Sequence, residues 1–537
     1  MILKRICSIL IISLLAFAGL SNVVHTSASA SDPIPYQYIA KVYTEGLGRA
    51  PDQSGWASSA SYFASNGCNA ASLEYLGKSA LESVEFTGLG YSNPALVLVG
   101  YRTVLNREVD SSGYPASVAE LNNGSVTWDG FLNQLYGSSE FTGLISAICS
   151  ATTPDYHFGT APATDVDAGA SGFSGTQSQL QSLLNSTASG ATVALAQRVV
   201  IRLTSTLIVP AGVTLTTYGS PDPRHYANQG RLVRANVWPT FSGAAVQLTA
   251  GAKLSYLWVD GQMGIPSRYN AGAVNVRVLS GTNSGVTYSR LGNSAGNTAL
   301  SVIGGGDPQP GTGLFINCVT NNYSYNLVEA YSSDHYNGHW SDGLSIGCEN
   351  STVAANQVVD ASDVGVIFFG EAGRTQNSMV SGNTVVNAGH GAYGSLGIDP
   401  WLNPSGGDGA GVATRDFTGA IMQNNTFWNS DRAPNAIGIA IGTRAWTAGQ
   451  GYNGHNAVIQ SNSTGSGGLW AGDGIVVSGM LNGTVSANSI SLTIVTGQSN
   501  CTTAAVGAAV TAGYASGTIQ GPYTDANYFG CIVGLTR

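Results

Sequence analysis

Three short fragments in the middle of the chain carry side chains able to exchange protons: Ser341-Asp342-Gly343, Ser362-Asp363-Val364 and Gly389-His390-Gly391. Each precedes or opens a short strand-like run such as Gly343-Leu344-Ser345-Ile346 or Val364-Gly365-Val366-Ile367-Phe368. Extended along the chain, the alignment yields a polar row of Asp342, Asp363, His390, Asn435 and Asp473. Asp363 and His390 are 27 residues apart, so a fold repeating at that interval makes them neighbours about one strand spacing apart. Two carboxyls and an imidazole on one ledge are the equipment of general acid–base catalysis. Charged residues make up only 9% of the chain, against a typical ~25%. The accompanying Asp334, His335, His339, Glu371, Arg374 and Asp399 are therefore a concentration of charge around the same stretch. Trp340 and Trp401, with Tyr331, Tyr336, Tyr393 and Trp446, offer flat faces for a sugar ring. The plainer reading of the Asp-Gly fragments is corner capping, because a short polar side chain there can bind its own backbone.

The elements that must hold these residues read as a solenoid. Asn350-Ser351-Thr352-Val353-Ala354-Ala355-Asn356 recurs 27 residues later as Asn377-Ser378-Met379-Val380-Ser381-Gly382-Asn383. Further Asn-centred turns fall at Asn425, Asn462 and Asn488, the last two 26 apart, and the wider gaps imply loops inserted between coils. A period in the twenties with several short strands per repeat requires one rung per coil. Internal asparagines at one turn can then stack coil on coil, each amide serving the next coil and nearby backbone groups. Such a ladder is structural, so these asparagines receive no catalytic role.

Ahead of the coils, Gln177-Ser178-Gln179-Leu180-Gln181-Ser182-Leu183-Leu184 has the spacing of a short amphipathic helix. Strand-like runs follow, ending in Pro210-Ala211-Gly212-Val213-Thr214-Leu215. This opening resembles that of the pectin-lyase-like β-helix superfamily. The resemblance implies a right-handed single-stranded parallel β-helix over residues 176–537, its first helix covering the apolar end. Within it, residues 340 to 391 resemble polygalacturonases: Ser341-Asp342-Gly343 stands where that family has Asn-Thr-Asp-Gly, Ser362-Asp363-Val364 where it has Asp-Asp, and Gly389-His390-Gly391 matches Gly-His-Gly. The resemblance implies that Asp342 helps activate water, Asp363 is the acid and His390 orients it. Val364 replaces one of the paired acids, Trp340-Ser341 replaces Asn-Thr, and no Arg-x-Lys follows Gly391. A lyase would instead need a base and a charge neutraliser at a uronate carboxylate, for which Arg374, His390 and the acids are candidates, with Ca²⁺ as a possible helper and no other cofactor.

The N-terminal part is built differently. Tyr43, Arg49, Asp52 and Gly55 recur 58 positions later as Tyr101, Arg107, Asp110 and Gly113. Both copies close on the same string, Glu85-Phe86-Thr87-Gly88-Leu89 and Glu140-Phe141-Thr142-Gly143-Leu144. Apolar spacings of three and four predict helices joined by Asp-x-x-Gly turns, with Asp52 and Asp110 as caps and Arg49 and Arg107 paired to nearby carboxylates. These landmarks resemble the domain of unknown function 4214, which implies a helical module of secreted and surface-layer proteins. A contact with an envelope or surface layer follows as its expected role.

Lys4 and Arg5, the apolar run from Ile6 to Leu20 and Ala28-Ser29-Ala30 read as a cleaved export signal. The expected organisation is a signal over 1–30, a small all-α module over 31–149 with an internal duplication, a linker over 150–175 rich in Ala, Thr, Ser and Gly, and the β-helix over 176–537. Of 21 basic residues two leave with the signal, so 19 face 30 acidic ones and the net charge is −11. Nucleic acid is thus a disfavoured partner. Six cysteines remain after Cys7, and fifteen pairings are open to them. Pairing within regions gives Cys68–Cys149, Cys318–Cys348 and Cys501–Cys531. The combined expectation is a secreted or cell-surface β-helix, without a transmembrane anchor, that binds extracellular polysaccharide and, in the enzymatic reading, cleaves it as a hydrolase or lyase. The alternative is a noncatalytic surface or matrix protein.

Overall fold

A computed structural model describes residues 33–150, 170–222, 224–235, 243–261, 270, 272–279, 281–294, 296–302, 319–330, 340–369, 376–400, 414–442, 453–478, 480–495, 522–523 and 529–531. The signal segment and most of the expected linker lie outside them, as do Cys318 and Cys501.

The duplicated landmarks become duplicated geometry. Asp52 Oδ1 accepts the Gly55 N–H at 2.8 Å, opening helix Gln53–Asn66, and Asp110 accepts the Gly113 N–H at the start of helix Gly113–Asn123. Arg49 grips Glu85 with two nitrogens, and Arg107 grips Glu140 in the same way. Each guanidinium also lies over the tyrosine that opens its repeat, Arg49 over Tyr43 and Arg107 over Tyr101. The closing strings begin helices at Val84–Gly88 and Ser139–Cys149, capped by Ser83 and Ser138. Cys68 and Cys149 form the expected disulfide.

From residue 192 onward the chain winds through three sheets of mainly parallel strands, one strand of each in most coils. Sheet A begins with Thr192–Leu195, B with Val200–Leu203 and C with Leu207–Val209, and a smaller three-stranded sheet lies beside them. Sheets A and C have 11 strands and sheet B has eight. The architecture is a right-handed parallel β-helix preceded by a helical domain. Val, Leu and Ile from all three sheets fill one continuous interior, as with Val353, Val358 and Val366 in one coil and Val380, Val385 and Leu396 in the next. Helix Gln177–Ser186 closes the N-terminal end by inserting Leu180 and Leu184. Its glutamines serve the exposed strand edge: Gln177 accepts from the Thr204 N–H and Gln181 from the Ile208 N–H, both at 2.8 Å. An edge left bare would template pairing with other chains.

Sheets A and B meet at a two-residue turn that repeats with little change. Its first residue is left-handed, with φ of 61° at Tyr325 and 54° at Ala355. Its second is asparagine: Asn326, Asn356, Asn383, Asn425, Asn462 and Asn488 form one buried ladder. In each step the Oδ1 of one asparagine accepts both the backbone N–H and the side-chain amide of the preceding one, as Asn383 does for Asn356 at 3.0 and 2.9 Å. The same amide of Asn356 donates to the Tyr323 carbonyl. The expected ladder is thus present, and it starts one coil earlier, at Asn326.

The helical domain packs onto the outer face of sheet B. Outward side chains there, including Trp258, Leu327, Val359, Val386 and Trp428, share one apolar cluster with the helices. Set into this interface are charges with almost no solvent exposure. Arg290 of sheet B binds Glu329 through Nε at 2.6 Å and Glu45 of the helical domain through Nη1 at 3.0 Å. Arg231 pairs with Asp260 beside it and with Glu108 of the helical domain, which also receives Arg102. Trp258 is the common floor, with Arg231 3.8 Å and Arg290 4.1 Å from its ring centre. Paired carboxylates hold the Arg290 guanidinium well above its ordinary pKa against the opposing effect of burial.

Two changes test these contacts. Arg290→Met leaves Glu45 and Glu329 as uncompensated neighbours and should lower the unfolding free energy in urea by about 3–5 kcal/mol; a loss below about 1 kcal/mol would show that the pairs do not hold the domains. Asn383→Ala removes the acceptor for two Asn356 donors, and should cost about 1–3 kcal/mol by the same measurement.

Candidate active site

The longest runs of sequence between strands precede or follow strands of sheet C. Leu344, Ile346, Val366, Phe368, Leu396 and Ile398 point inward and fix the register of its strands. Each strand starts at a tight corner over the interior. A Cβ on Gly343 would stand 2.5 Å from Val358 Cγ1, and one on Gly365 would stand 2.5 Å from Val385 Cγ1. Glycine is therefore required at both corners, and the residue before it is held at the strand's mouth.

Asp342 is buried and tied on both sides. Its Oδ2 accepts the Ser345 hydroxyl at 2.7 Å, and its Oδ1 accepts the Val364 N–H at 3.0 Å. Burial nevertheless pushes its pKa up to about 7. Asp363 is half-buried, and its carboxyl makes no hydrogen bond or ion pair among the described residues. Burial first, and then the negative charges of Asp342 and Asp399, push its pKa well above the ordinary range. Like charge in a poorly hydrated place opposes the ionisation of Asp363. Asp399 is itself buried at the end of strand Gly394–Asp399. The site thus centres on Asp342 and Asp363, with Trp340 partly exposed two residues ahead of Asp342, while Asp399 stands opposite Phe369 at the other end of the strand.

His390 lies elsewhere. The 27-residue offset holds in sheets A and B, where Thr352 pairs with Met379 and Gln357 with Thr384. In sheet C it becomes 30, since Val364 pairs with Gly394. Three residues added between sheets B and C carry His390 off the ledge. The true row is Asp342, Val364, Gly394, Ile437 and Asp473, which corrects the row read from the sequence. Asn435 faces Ala471 instead and is a fastener, accepting the Ala392 N–H and donating to Ser395.

The His390 corner is shaped by Asp360, whose role the sequence reading missed. Its Oδ1 accepts the N–H groups of Ala388, Gly389 and His390, while Asn387 donates to the His390 carbonyl. The signal was present: Val358-Val359-Asp360, Val385-Val386-Asn387 and Phe427-Trp428-Asn429 repeat an apolar pair followed by Asp or Asn. Ser345, which anchors Asp342, was also missed. Asp334, His335, His339, Glu371, Arg374 and Trp401 lie outside the described residues. Cys348 is buried, with its expected partner Cys318 likewise outside. Among the described residues, no group of three or more His, Cys, Asp or Glu side chains is arranged to hold a metal ion.

No family model and no curated protein matches the chain, so the resemblance of its N-terminal region to the domain of unknown function 4214 is not supported. Solved structures similar to it include an endo-xylogalacturonan hydrolase from Aspergillus tubingensis, 16% identical, covering 61% of this chain and 92% of that one with a TM-score of 0.39. A polygalacturonase from Erwinia carotovora ssp. carotovora is 14% identical over 64% of this chain and 99% of its own, TM-score 0.32. An alginate lyase from Paenibacillus sp. str. FPU-7 is 15% identical over 55% and 96%, TM-score 0.27.

The raised Asp342 pKa has a consequence for stability. Between pH ~4 and ~7 the folded chain keeps a proton that the unfolded chain has lost. Its stabilising contribution is therefore complete below the ordinary carboxylate pKa and disappears as pH rises to about 7. Asp342→Asn should show a smaller fall in Tm from pH 4.5 to 7.5 than the wild type. Parallel declines in the two proteins would mean that this carboxyl does not titrate with folding.

Proposed function

We propose that this protein is exported and that the outer face of sheet C hydrolyses a glycosidic bond of an extracellular polysaccharide, with Asp363 as acid and Asp342 as base. The observation that carries the proposal is the contrast between two neighbouring carboxyls. Asp342 is anchored by two donors that favour its charged form, whereas Asp363 has no hydrogen bond or ion pair among the described residues and its pKa is pushed well above the carboxylate range. One proton held by such a pair belongs on the untied member. Asp363 gives that proton to the glycosidic oxygen as the bond to the anomeric carbon breaks. Water attacks that carbon and loses a proton to Asp342. Trp340 supports the reading as a partly exposed ring beside the pair. An oxidising compartment is consistent with the Cys68–Cys149 bridge.

A noncatalytic glycan-binding reading is favoured by one observation: both Asp342 oxygens are already used as a corner cap, and Val364 and Ile437 continue its row as apolar residues.

The test is to incubate residues 31–537 with polygalacturonate, alginate and neutral glycans while following new reducing ends and the absorbance of unsaturated ends. Hydrolysis should yield reducing ends alone, rise as pH approaches about 7 and the Asp342 base ionises, and decline only at higher pH, where Asp363 loses its proton. Asp363→Asn should lower kcat by about 10²–10⁴-fold with little change in KM. Unchanged activity in that variant would remove the site, unsaturated ends would replace hydrolysis with elimination, and binding without new ends would favour the noncatalytic reading.

A further inference from the structure

We infer that the two domains together form a second, noncatalytic binding surface for a neutral polysaccharide, along two tyrosine-lined grooves away from sheet C. On the β-helix, Tyr256, Tyr288 and Tyr325 occupy successive left-handed positions of the turn between sheets A and B. Their rings stack with centroids 5.1 and 5.0 Å apart and planes within 14° and 8° of each other. The next such position is Ala355, so the stack stops with one face of Tyr325 uncovered and Tyr325 53% exposed. Beside it opens a groove of about 310 Å³ whose lining includes Tyr288, Tyr325, Ala355, Asp222, Arg224 and Gly48. Where a fourth ring would stand, a sugar ring fits: its axial C–H face lies on an aromatic face while its hydroxyls meet polar groups at the rim.

The second groove, of about 360 Å³, lies on the helical domain. Tyr43, Tyr62 and Tyr75 line it together with hydroxyls of Ser58 and Ser79. Tyr62 and Tyr75 are stacked at 4.4 Å, and Tyr75 is largely exposed. The two grooves share a sill. Leu47 and Arg49 line the second and Gly48 the first, and Glu85 bridges Arg49 on one side to Arg224 on the other at 2.8 Å. Gly48 must lack a side chain here, because a Cβ would lie 2.1 Å from the Arg224 carbonyl oxygen. A chain of linked sugars spans both grooves. The ligand is neutral because Arg49 and Arg224 are already paired with Glu85, and Asp222 adds a negative charge that repels a uronate.

The surface shares no residue with the Asp342–Asp363 pair, so the two readings fail separately. The experiment is affinity electrophoresis of residues 31–537 through gels containing hydroxyethylcellulose, galactomannan or polygalacturonate. The wild type should be retarded by at least one neutral glycan, and any retardation by polygalacturonate should be the same in Tyr325→Ala as in the wild type. Tyr325→Ala and Ala355→Tyr should each weaken that retention about tenfold, and Asp363→Asn should leave it unchanged. Ala355→Tyr is informative because three tyrosines already adopt this turn conformation, so it fills the gap while its Tm stays at or above the wild-type value. No retention by either neutral glycan, retention by polygalacturonate alone, or unchanged retention in both tyrosine-stack variants overturns the inference.

Discussion

Every coil of this protein satisfies its backbone through the coils before and after it, and the turn between sheets A and B is where that demand is met most strictly. Two residues reverse the chain there, the first in a left-handed conformation and the second an asparagine whose amide bonds both to the neighbouring rung and to a backbone carbonyl. Unpaired polar groups at a buried corner would cost free energy at each coil. One repeated solution keeps the corner constant over six rungs. Sheet B therefore presents a regular outer face, and residues at the first turn position, such as Tyr256, Tyr288 and Tyr325, come to lie in register.

The opposite corners carry no such restriction. Between sheets B and C the coil gains three residues from one rung to the next, and the strand mouths there hold Asp342 and Asp363. Burial makes Asp342 a carboxyl that keeps its proton up to about pH 7, and burial together with neighbouring negative charge raises Asp363 as well. Regularity on one side supplies rigidity, and irregularity on the other supplies a place for chemistry.

The interface with the helical domain depends on that regular face. Arg231 and Arg290 project from adjacent parts of sheet B around Trp258, where Asp260 and Glu329 of the same sheet leave donors for carboxylates of the helical domain. Glu45 and Glu108 take them. An apolar contact of the same size would be comparably stable. What the planar guanidinium forks add is direction, since two parallel hydrogen bonds admit few relative orientations. The helical domain is consequently a fixed cover for sheet B rather than a module hung on a linker.

Local periodicity made much of this legible. The asparagine spacing disclosed the ladder, the Gln177–Leu184 pattern its cap, and the paired Arg, Asp and Glu landmarks the helical repeat, because each depends on residues that are near in sequence or recur at a fixed interval. Asp342 and Asp363 could also be found, as polar residues at glycine corners. The sequence could not reveal that His390 leaves their ledge, since a three-residue insertion is invisible until strands are paired. Nor could it match Arg290 with Glu45 across 245 residues, or show that Tyr325 is the last ring of a stack. By itself the sequence determined the coil, its corners and its cap, which follow from short-range pattern and backbone hydrogen bonding. The tertiary structure alone decided which carboxyls face one another, how strongly burial perturbs them and which faces the two domains leave open, because those depend on distances between residues with no local relation.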